Sequence, residues 1–396
     1  MSGPLNGVRV IDMTMNVMGP YASQTLGDMG ADVCKVEPPE GDTLRGIGPA
    51  RSKGMGPYFL NLNRNKRSLV LDLKKPRGGS ALRRLLEQAD VLLFSFRPKA
   101  MARLGVSYAE VSALNPRIIY CGAFGYGQSG PYADRPAYDD LIQAAIGLPI
   151  LQSRGVDAPA FVAAALMDRA VGLMAASSIG MALYHRERTG EGQAIEVPMF
   201  EGMTEFIMGD HLYGKTFDPP LGPVGYVRML DKNRKPYQTR DGYIGVLVYN
   251  DKHWRNFFEA LERPDMAADE RYTTIAGRTQ NIGFLYNFLA ETLVTRTSEE
   301  WLAFFAKADI PAMPLNTPDG LLTDEHMTAV GFFKLMDHPT EGRVRVMDVP
   351  QTWSRSQPAI KRLAPRLGEH SEEVLAEYGF TQSEISSLRQ DRVVPE

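Results

Sequence analysis

The sequence predicts an α/β protein whose core is a parallel sheet covered by helices. The first observation is an alternating pattern, in which short apolar runs and helical stretches follow one another three times in the first half of the chain. Such alternation is typical of βαβ units, in which successive strands run parallel. The second observation is composition, since 44% hydrophobic and 23% charged residues in a chain of 396 allow a large core. This length predicts two domains.

The first βαβ unit lies at the N-terminus, in GVRVIDMT, YASQTLGDMG and ADVCKVE. Pro20 stands where a first helical residue is favoured, and Gly30 follows the helix as a stop signal. The later strands and helices of the sheet are predicted in RSLVLDL, GGSALRRLLEQA, DVLLFSF, AEVSALNP, RIIYCGAF and QAIEVPMF. The parallel sheet is therefore expected to occupy residues 1–200.

The alternation of strand-like and helix-like segments stops after residue 200, which predicts a domain boundary. Residues 201–225 are rich in Gly, Pro, Met and aromatic side chains, which indicates a linker. Residues 226–327 contain the strand DGYIGVLVY and three amphipathic helical stretches, and they predict a smaller α/β domain. Residues 328–396 again combine strand and helix.

The charge balance argues against nucleic acid and membranes as partners. Lys and Arg number 44 against 47 Asp and Glu, giving a formal net charge of -3, and no basic run stands out. The N-terminus has no basic segment leading into an apolar stretch, and the longest apolar stretch, Ala170 to Tyr184, is too short to span a bilayer. A small molecule is the expected partner.

The cysteines and histidines predict neither disulfides nor a metal site. Cys34 and Cys121 lack CxxC spacing, and the six histidines form no HExxH or HxxH pair. Two isolated cysteines fit a reducing compartment, so the expected location is the cytoplasm.

The segment GYGQSG, from Gly125 to Gly130, matches the GxGxxG pattern directly after a predicted strand. A dinucleotide fingerprint also needs a helix opening at the third glycine and an acidic residue about 20 positions further on. Pro131 and the polar loop PYADRP follow instead. A tight loop after a strand is therefore favoured over a nicotinamide site.

The stretch from Phe161 to Tyr184 is predicted to be a helix with a carboxylate, Asp168, in its first turns. Small or apolar residues at three- and four-residue spacing form one face, namely Ala164, Ala165, Gly172, Ala175, Ala176 and Ile179. From spacing alone a structural role is favoured, in which Asp168 stabilises the helix start or pairs with Arg169. The alternative is chemical, because a carboxylate in a poorly hydrated pocket can act as a tuned nucleophile or base.

Further polar residues have both structural and binding interpretations. Tyr138 and Asp139 precede an apolar periodic run, where Asp139 is a natural N-cap. Basic residues collect around predicted strand ends and loops, at Lys66, Arg67, Lys74, Arg97 and Arg103. They are either scattered surface charges or ligands of a phosphorylated compound, which usually binds at strand ends of an open α/β sheet.

In their order along the chain, these segments resemble class III coenzyme A transferases of the formyl-CoA transferase and carnitine CoA-transferase type. The resemblance extends over essentially the whole length. Its strongest element is the combination of Asp168 in the small-residue helix with TGEGQ just beyond it. The other matching segments are GVRVIDMT, GPYASQTLGDMGADVCKVEPPEGDTLRG, NRNKRSLVLDLK, FRPKAMARLGV, NPRIIYCGAFGYGQSGPY, AYDDLIQA, RTGEGQAIEV and APRLGEHSEEVL.

The resemblance implies roles for individual residues. Asp168 falls where the family has its nucleophilic aspartate. Val17 and Met18 fall in the turn that lines the thioester site, and Tyr138 and Asp139 match a pair beside the nucleophile. Positions similar to the family's CoA contacts are Leu71, Lys74, Phe96, Arg97 and Arg103.

The resemblance also implies an architecture. The N- and C-terminal parts are expected to share a Rossmann-like large domain, residues 226–327 to form the small domain, and two chains to interlock as a homodimer. The sequence departs from the family in two places. Val17 replaces a glutamine of formyl-CoA transferase, and GYVRMLDKNRKPYQTRDGYI stands where a glycine-rich lid is expected.

The implied activity is transfer of CoA from an acyl-CoA to a small carboxylic acid through an aspartyl anhydride and an aspartyl-CoA thioester. CoA and acyl-CoA are substrates, and neither a metal nor a tightly bound cofactor is implied. Arg45 and Arg228 are candidates for holding a second carboxylate, which makes succinyl-CoA and a dicarboxylic acceptor the leading pair.

Three alternatives stay open. A 2-methylacyl-CoA racemase of the same superfamily uses a His and Asp pair, but Tyr138 stands in the position of that histidine. An unperturbed tyrosine has a pKa of about 10 and is a poor base near neutral pH. The other two are a nicotinamide dehydrogenase and a CoA-binding protein without activity.

Overall fold

The computed structural model describes residues 3–155 and 157–395, and these ranges contain strands of two to six residues. They are β1 (Arg9–Met13), β2 (Asp32–Glu37), β3 (Lys66–Val70), β4 (Val91–Phe94), β5 (Ile119–Phe124), β6 (Gln193–Pro198), β7 (Tyr237–Gln238), β8 (Tyr243–Val246), β9 (Ala312–Pro314), β10 (Phe333–His338) and β11 (Gly342–Met347).

The helices vary from single turns to 24 residues. They are α1 (Met18–Asp28), α2 (Pro57–Leu60), α3 (Pro76–Leu86), α4 (Pro98–Arg103), α5 (Tyr108–Leu114), α6 (Asp139–Ala145), α7 (Leu148–Ser153), α8 (Leu166–Thr189), α9 (Met199–His211), α10 (Val227–Leu230), α11 (Asp251–Ala260), α12 (Pro264–Ala267), α13 (Glu270–Thr273), α14 (Ile275–Gln280), α15 (Ile282–Leu293), α16 (Ser298–Lys307), α17 (Glu325–Ala329), α18 (Ser371–Glu377) and α19 (Gln382–Gln390). Short 3-10 turns occupy Thr43–Gly46, Tyr213–Thr216 and Gly320–Leu322.

The chain divides into two compact units. The larger unit takes the described residues of 1–146, 162–205 and 326–396, and the smaller unit takes those of 147–161 and 206–325. The division differs from the sequence prediction at 147–161, a segment that was expected in the larger domain. It also differs at the predicted linker, residues 201–225, because the first part of this segment belongs to helix α9. A helix can form there, since no proline occurs in the segment before residue 219.

The larger unit is built on a six-stranded sheet in the order β3-β2-β1-β4-β5-β6, with every neighbouring pair parallel. The prediction of a parallel α/β sheet is thus confirmed. Strands β3, β4 and β5 are buried along their whole length, as expected when helices cover both faces of a parallel sheet. The chain runs outward from β1 to β3, returns to β4 and continues to β6. The order therefore reverses between β1 and β4.

Helix α8 is the long central helix of the larger unit and packs closely against α1. Gly172 makes this approach possible, because a Cβ atom there would lie 2.7 Å from the Met18 carbonyl oxygen. The helix begins at Leu166, so Ala164 and Ala165 precede it and do not extend the predicted small-residue face. By length and composition α8 is also the one helix of the described residues that could cross a bilayer. Its packing on α1 and on β5 and β6 makes it a core helix.

The C-terminal segment of the chain completes the larger unit beside β3. Helix α18 packs on this strand, and the Val70 N–H donates to Ser371 Oγ at 3.2 Å. The His370 N–H donates to the Ser68 carbonyl at 3.0 Å. The edge of the sheet is therefore closed by residues about 300 positions away in sequence.

The smaller unit combines a short antiparallel sheet, in the order β7-β8-β9, with helices α7 and α10–α16. Its core is aromatic, with Trp254, Phe257 and Trp301 fully buried. The predicted strand in DGYIGVLVY and helices α11 and α16 are found where the sequence placed them. The third predicted helix divides at Asn281 into α14 and α15.

Candidate active site

Two adjoining cavities lie at the carboxyl ends of the strands where the sheet order reverses. The first, of about 220 Å³, is lined by residues that follow β1, β4 and β5 and by Asp168. The second, of about 520 Å³, is lined by residues that follow β1, β2, β3 and β4. Met15 lines both cavities. Open α/β sheets bind ligands at this position, because the loops on either side of the reversal diverge and leave a crevice.

Asp168 lies in the first turn of α8 and its side chain lines the first cavity. Burial raises the pKa of Asp168 to about 7, and the neighbouring Asp139 carboxylate adds to the effect while Arg169 opposes it. Near pH 7 the side chain is therefore divided between the carboxylic acid and the carboxylate. A carboxylate of raised pKa is a stronger base and nucleophile than an exposed one.

Asp139 fixes the start of α8 from a different helix. Its Oδ2 accepts the backbone N–H of Asp168 at 3.0 Å, and its Oδ1 accepts Nε2 of Gln143 at 2.6 Å. The expectation that Asp139 caps its own helix is wrong, because Tyr138 is the N-cap residue and Asp139 is the first residue of α6. Asp139 instead satisfies a free N–H in the first turn of α8.

Of the residues expected at the thioester site, some line the first cavity and one is buried in the protein core. Met18 and Tyr138 line the first cavity with Asp168, and Tyr138 is 62% exposed. Val17 is buried in a hydrophobic cluster with Leu44 and Phe59. Its side chain does not line this cavity, since the backbone at the start of α1 turns it toward the protein interior.

The residues expected to contact CoA surround the two cavities. Leu71, Lys74, Phe96 and Arg103 line the second cavity, and Arg97 lines the first. The Lys74 side chain is 85% exposed, with Nζ 3.8 Å from a Glu40 carboxylate oxygen. Apolar walls with cations at the rim suit a ligand with an aromatic base and phosphate groups.

A buried polar network supports the turn between β1 and α1. Lys35 donates to the Thr14 carbonyl at 2.7 Å and lies 2.9 Å from Asp42. Asp42 also accepts the backbone N–H of Asn16, a residue held at a φ of 66°. Asn16 lines the first cavity, so the network holds one wall of the site. These residues were not predicted as part of the site, because charged side chains within apolar strands give no periodic signal.

Three basic residues considered as ligand contacts are occupied by structural ion pairs. Arg45 binds both carboxylate oxygens of Glu37, at 2.8 and 2.7 Å, and lies over the Phe59 ring. Lys66 lies within 3.3 Å of an Asp12 oxygen. Arg67 pairs with acidic residues of β2 and α18, and it starts β3 with Lys66, at the end opposite to the cavities. The proposal of Arg45 as a carboxylate ligand is therefore wrong.

The other candidate for a second carboxylate, Arg228, lies in the smaller unit. It is buried, and its guanidinium lies 5.0 Å from the centre of the Tyr249 ring.

The GYGQSG loop is not built to bind phosphate. The Gly127 N–H donates to Glu201 at 3.0 Å, and the Gln128 N–H donates to Glu196 at 2.6 Å. These N–H groups already serve protein carboxylates, and two acidic side chains repel an anion. No helix opens at Gly130, since α6 begins at Asp139. The fingerprint match is therefore a structural loop.

Residues 3–155 and 157–395 contain no group of three or more His, Cys, Asp or Glu side chains that could hold a metal ion. Cys34 and Cys121 are free and buried. They belong to β2 and β5, which are separated by two strands, so they lie about 14 Å apart in the sheet. They cannot form a disulfide.

Fold and site together define a class of protein: a doubly wound α/β protein with a cleft at the reversal point and a carboxylate of raised pKa in that cleft. The chain belongs to CoA-transferase family III, whose family model matches residues 5–371. It is 32% identical to succinate–glutarate CoA-transferase of Agrobacterium fabrum, over 94% of this chain and 95% of that protein.

A second relative and a solved structure agree with this assignment. The chain is 32% identical to the beta subunit of succinyl-CoA–L-malate CoA-transferase of Chloroflexus aurantiacus, over 99% of this chain and 98% of that protein. A CAIB/BAIF family protein from Brucella suis has 31% identity and a TM-score of 0.80, covering 96% of this chain and 100% of that one. The protein is therefore a class III CoA-transferase, an enzyme whose substrates are CoA thioesters.

Proposed function

We propose that this enzyme transfers CoA from succinyl-CoA to a small dicarboxylic acid, with Asp168 as the nucleophile. The observation that carries the proposal is the position of Asp168, whose pKa is raised to about 7 within the cleft at the strand ends. The Agrobacterium and Chloroflexus relatives act on succinyl-CoA or succinate together with glutarate or malate. All of these acids carry two carboxylates.

The proposed reaction divides into four exchanges at Asp168. A carboxylate oxygen of Asp168 attacks the thioester carbonyl, the C–S bond breaks and CoA leaves as the thiolate, which gives a mixed anhydride. The thiolate then attacks the aspartyl carbonyl, and the donor acid leaves as a carboxylate. The acceptor carboxylate attacks the resulting aspartyl-CoA thioester and releases the thiolate again. Finally the thiolate attacks the acceptor acyl carbonyl, which yields the new acyl-CoA and regenerates the Asp168 carboxylate.

The walls of the first cavity suit these intermediates. Met15, Met18, Phe124 and Met199 line the space beside Asp168. Polar residues, among them Asn16, Arg97 and Gln128, line the rest of this cavity. The apolar side chains limit the hydration of their own part of it, which would protect the anhydride from hydrolysis. The same low hydration raises the pKa of Asp168 and strengthens it as a nucleophile.

The proposed path of CoA follows the two cavities. The nucleotide part occupies the second cavity, with the adenine against Leu71 and Phe96 and the phosphates near Lys74 and Arg103. The pantetheine arm passes Met15, which lines both cavities, and brings the thioester to Asp168.

We also propose that the enzyme is an interlocked homodimer. An apolar stripe of α8, formed by Leu166, Leu173, Met181 and Tyr184, is exposed along the helix, with Met181 at 68%. These residues fall on one side of the helix, away from Asp168. Light scattering should give the mass of two chains, and Met181→Glu should lower it toward that of one chain. A monomeric parent protein would contradict the proposal.

The proposed location is the cytoplasm. This proposal rests on the sequence alone, whose two cysteines provide no disulfide framework of the kind common in secreted proteins. Fractionation of cells that produce the tagged protein tests this proposal.

Trapping with hydroxylamine tests the covalent chemistry. With succinyl-CoA and no acceptor, the enzyme should accumulate acylated Asp168, and hydroxylamine should convert it to a hydroxamate and inactivate the enzyme. Peptide mass spectrometry should place the hydroxamate on Asp168. The Asp168→Asn variant is the control and should not be modified. Equal inactivation with and without the donor would contradict an aspartyl intermediate.

A further inference from the structure

We propose that Arg135 binds the distal carboxylate of dicarboxylic acids and of their acyl-CoA esters, and so selects dicarboxylic substrates. Arg135 lies in the loop between β5 and α6 and lines the same cavity as Asp168. The inference rests on the proposed function, because it names the residue that would bind the carboxylate of the substrate that does not react.

Arg135 is held on an aromatic support. Its guanidinium lies 3.8 Å from the centre of the Tyr132 ring. Tyr132 packs in turn against Tyr126 and Phe200, with ring centres 5.5 and 6.2 Å apart. Stacking on a ring occupies the face of a guanidinium and leaves its N–H edges available, which is the geometry for a bidentate bond to a carboxylate.

Arg135 also lacks a protein partner for its charge within residues 3–155 and 157–395. The adjacent acidic residue, Asp134, pairs with Lys99 at 2.9 Å. The side chain of Arg135 forms no ion pair or hydrogen bond in these ranges, and its backbone N–H donates to the Tyr132 carbonyl. Arg45, one of the two arginines that the sequence offered for this role, is engaged with Glu37. A cation that lines the cavity is therefore available for a ligand.

Arg135 comes from a different loop than the proposed CoA contacts, which follow β3 and β4. Arg103 lies in α4 and lines the second cavity, while Arg97, just before α4, lines the first cavity together with Arg135. Arg135 and Tyr138 come from the loop after β5 and line only the first cavity. This arrangement places a cation at the acid end of the cleft.

One cation can serve both the donor and the acceptor. In the proposed sequence the donor acid leaves before the acceptor acid enters, so the two acids occupy the same space at different times. Succinyl-CoA and a dicarboxylic acceptor then present a distal carboxylate to the same guanidinium. Loss of Arg135 should weaken recognition of both.

The test compares kcat/KM for two acceptors of equal length, glutarate and its monoamide, with succinyl-CoA as donor. In a ping-pong reaction this constant for the acceptor reports the second half-reaction alone. Arg135→Met should lower the ratio of kcat/KM for glutarate to kcat/KM for the monoamide by about 10- to 100-fold, the loss expected for a charge-assisted hydrogen-bonded pair. Arg135→Lys should retain an intermediate ratio. For donors, kcat/KM for succinyl-CoA should fall more than that for butyryl-CoA.

Arg9→Met is the matched control, since Arg9 also lies over a tyrosine ring, that of Tyr378, but at the start of β1 and outside the cavity. It should leave the ratio unchanged, and inhibition by free CoA should be the same in all variants. An equal loss on both acceptors, or weaker inhibition by CoA in Arg135→Met, would overturn the inference. If the parent enzyme transfers CoA to neither acid and forms no hydroxamate, the proposed function fails instead.

Discussion

Two aspartates of the larger unit, the fully buried Asp12 and the partly buried Asp168, differ in what surrounds them. Asp12 accepts hydrogen bonds from the backbone and hydroxyl of Thr14, at 2.9 and 2.5 Å, and from the Ser23 hydroxyl at 2.5 Å. Burial opposes its ionisation, but Lys66 and Lys35 outweigh burial and lower the pKa of Asp12. Asp168 has Asp139, a like charge, beside it, and its pKa rises to about 7.

The difference shows that burial alone does not make a carboxylate reactive. Asp12 is surrounded by cations and donors, so its charge is stabilised and its lone pairs are engaged. Asp168 faces a cavity, and the hydrogen bond at its position uses its backbone N–H and not its side chain. The first carboxylate is fixed as a structural anion, while the second leaves its side-chain oxygens available in the cavity.

The largest expected effect is on turnover at Asp168. Asp168→Ala and Asp168→Asn should abolish measurable CoA transfer, because the attacking oxygen is lost, and should leave CoA binding close to that of the parent. Asp168→Glu displaces the carboxylate by about one methylene and should lose on the order of 100-fold or more. Transfer rates and CoA affinity measured on the three variants check this. A folded Asp168→Ala protein that transfers CoA near the parent rate would remove the nucleophile assignment.

The second largest effect is on stability, since replacing each aspartate by asparagine should change the free energy of unfolding in opposite directions. Asp12→Asn leaves the buried Lys66 without its carboxylate partner, while Lys35 keeps Asp42, and should cost about 3–5 kcal/mol in the free energy of unfolding. Asp168→Asn should instead be stabilising above pH 7, by up to about 4 kcal/mol, because ionisation of the native side chain there is unfavourable.

The dependence on pH should run in opposite directions for the two aspartates. Since the folded pKa of Asp168 exceeds its unfolded value, the penalty is absent below about pH 4 and grows as the pH rises to about 7. The benefit of Asp12 is present above its ordinary pKa and is lost as the pH falls below it. Urea unfolding of the Asp168 variant at pH 5 and pH 8, and of the Asp12 variant at pH 3 and pH 5, each against the parent, measures these differences. A loss of stability in Asp168→Asn at pH 8 would show that this carboxylate is structural.

The smallest effect concerns Asp139. Asp139→Asn keeps an acceptor for the N–H of Asp168 and removes a negative charge, so the pKa of Asp168 should fall. The midpoint of kcat/KM for the donor against pH, expected near 7 in the parent, should move down by roughly half to one unit. Asp140→Asn is the matched control, since Asp140 is adjacent but exposed. An unchanged midpoint in Asp139→Asn would mean that Asp139 acts through its hydrogen bond alone.

Much of the larger unit was predictable because its signals are local. Apolar runs of strand length and Gly30 after a helix end follow from conformational preference and periodicity, and Pro20 lies in the first turn of α1, two residues after the helix begins. The helix that carries Asp168 was predictable in the same way, although its start was placed five residues early, at Phe161. The segment from Phe161 contains alanines that favour a helix, and the observed start depends on Asp139, a residue of another helix.

The candidate site was less predictable, because its members come from separate loops. Arg45 and Arg135 are both arginines in polar loops, and no pattern distinguishes them. Arg45 meets Glu37 at the end of β2, while Arg135 meets the Tyr132 ring and open space. Val17 and Met18 are adjacent apolar residues, yet one faces the core and the other the cavity.

The sequence by itself determined the strands and helices of the sheet and, through the resemblance, the family and the position of Asp168. These depend on near neighbours in the chain and on motifs that keep their order. Only the tertiary structure decided which charges are free. The pKa of Asp168, the pairing of Arg45 and the open edge of Arg135 depend on distances between residues far apart in sequence, and electrostatic energy varies with these distances and with burial.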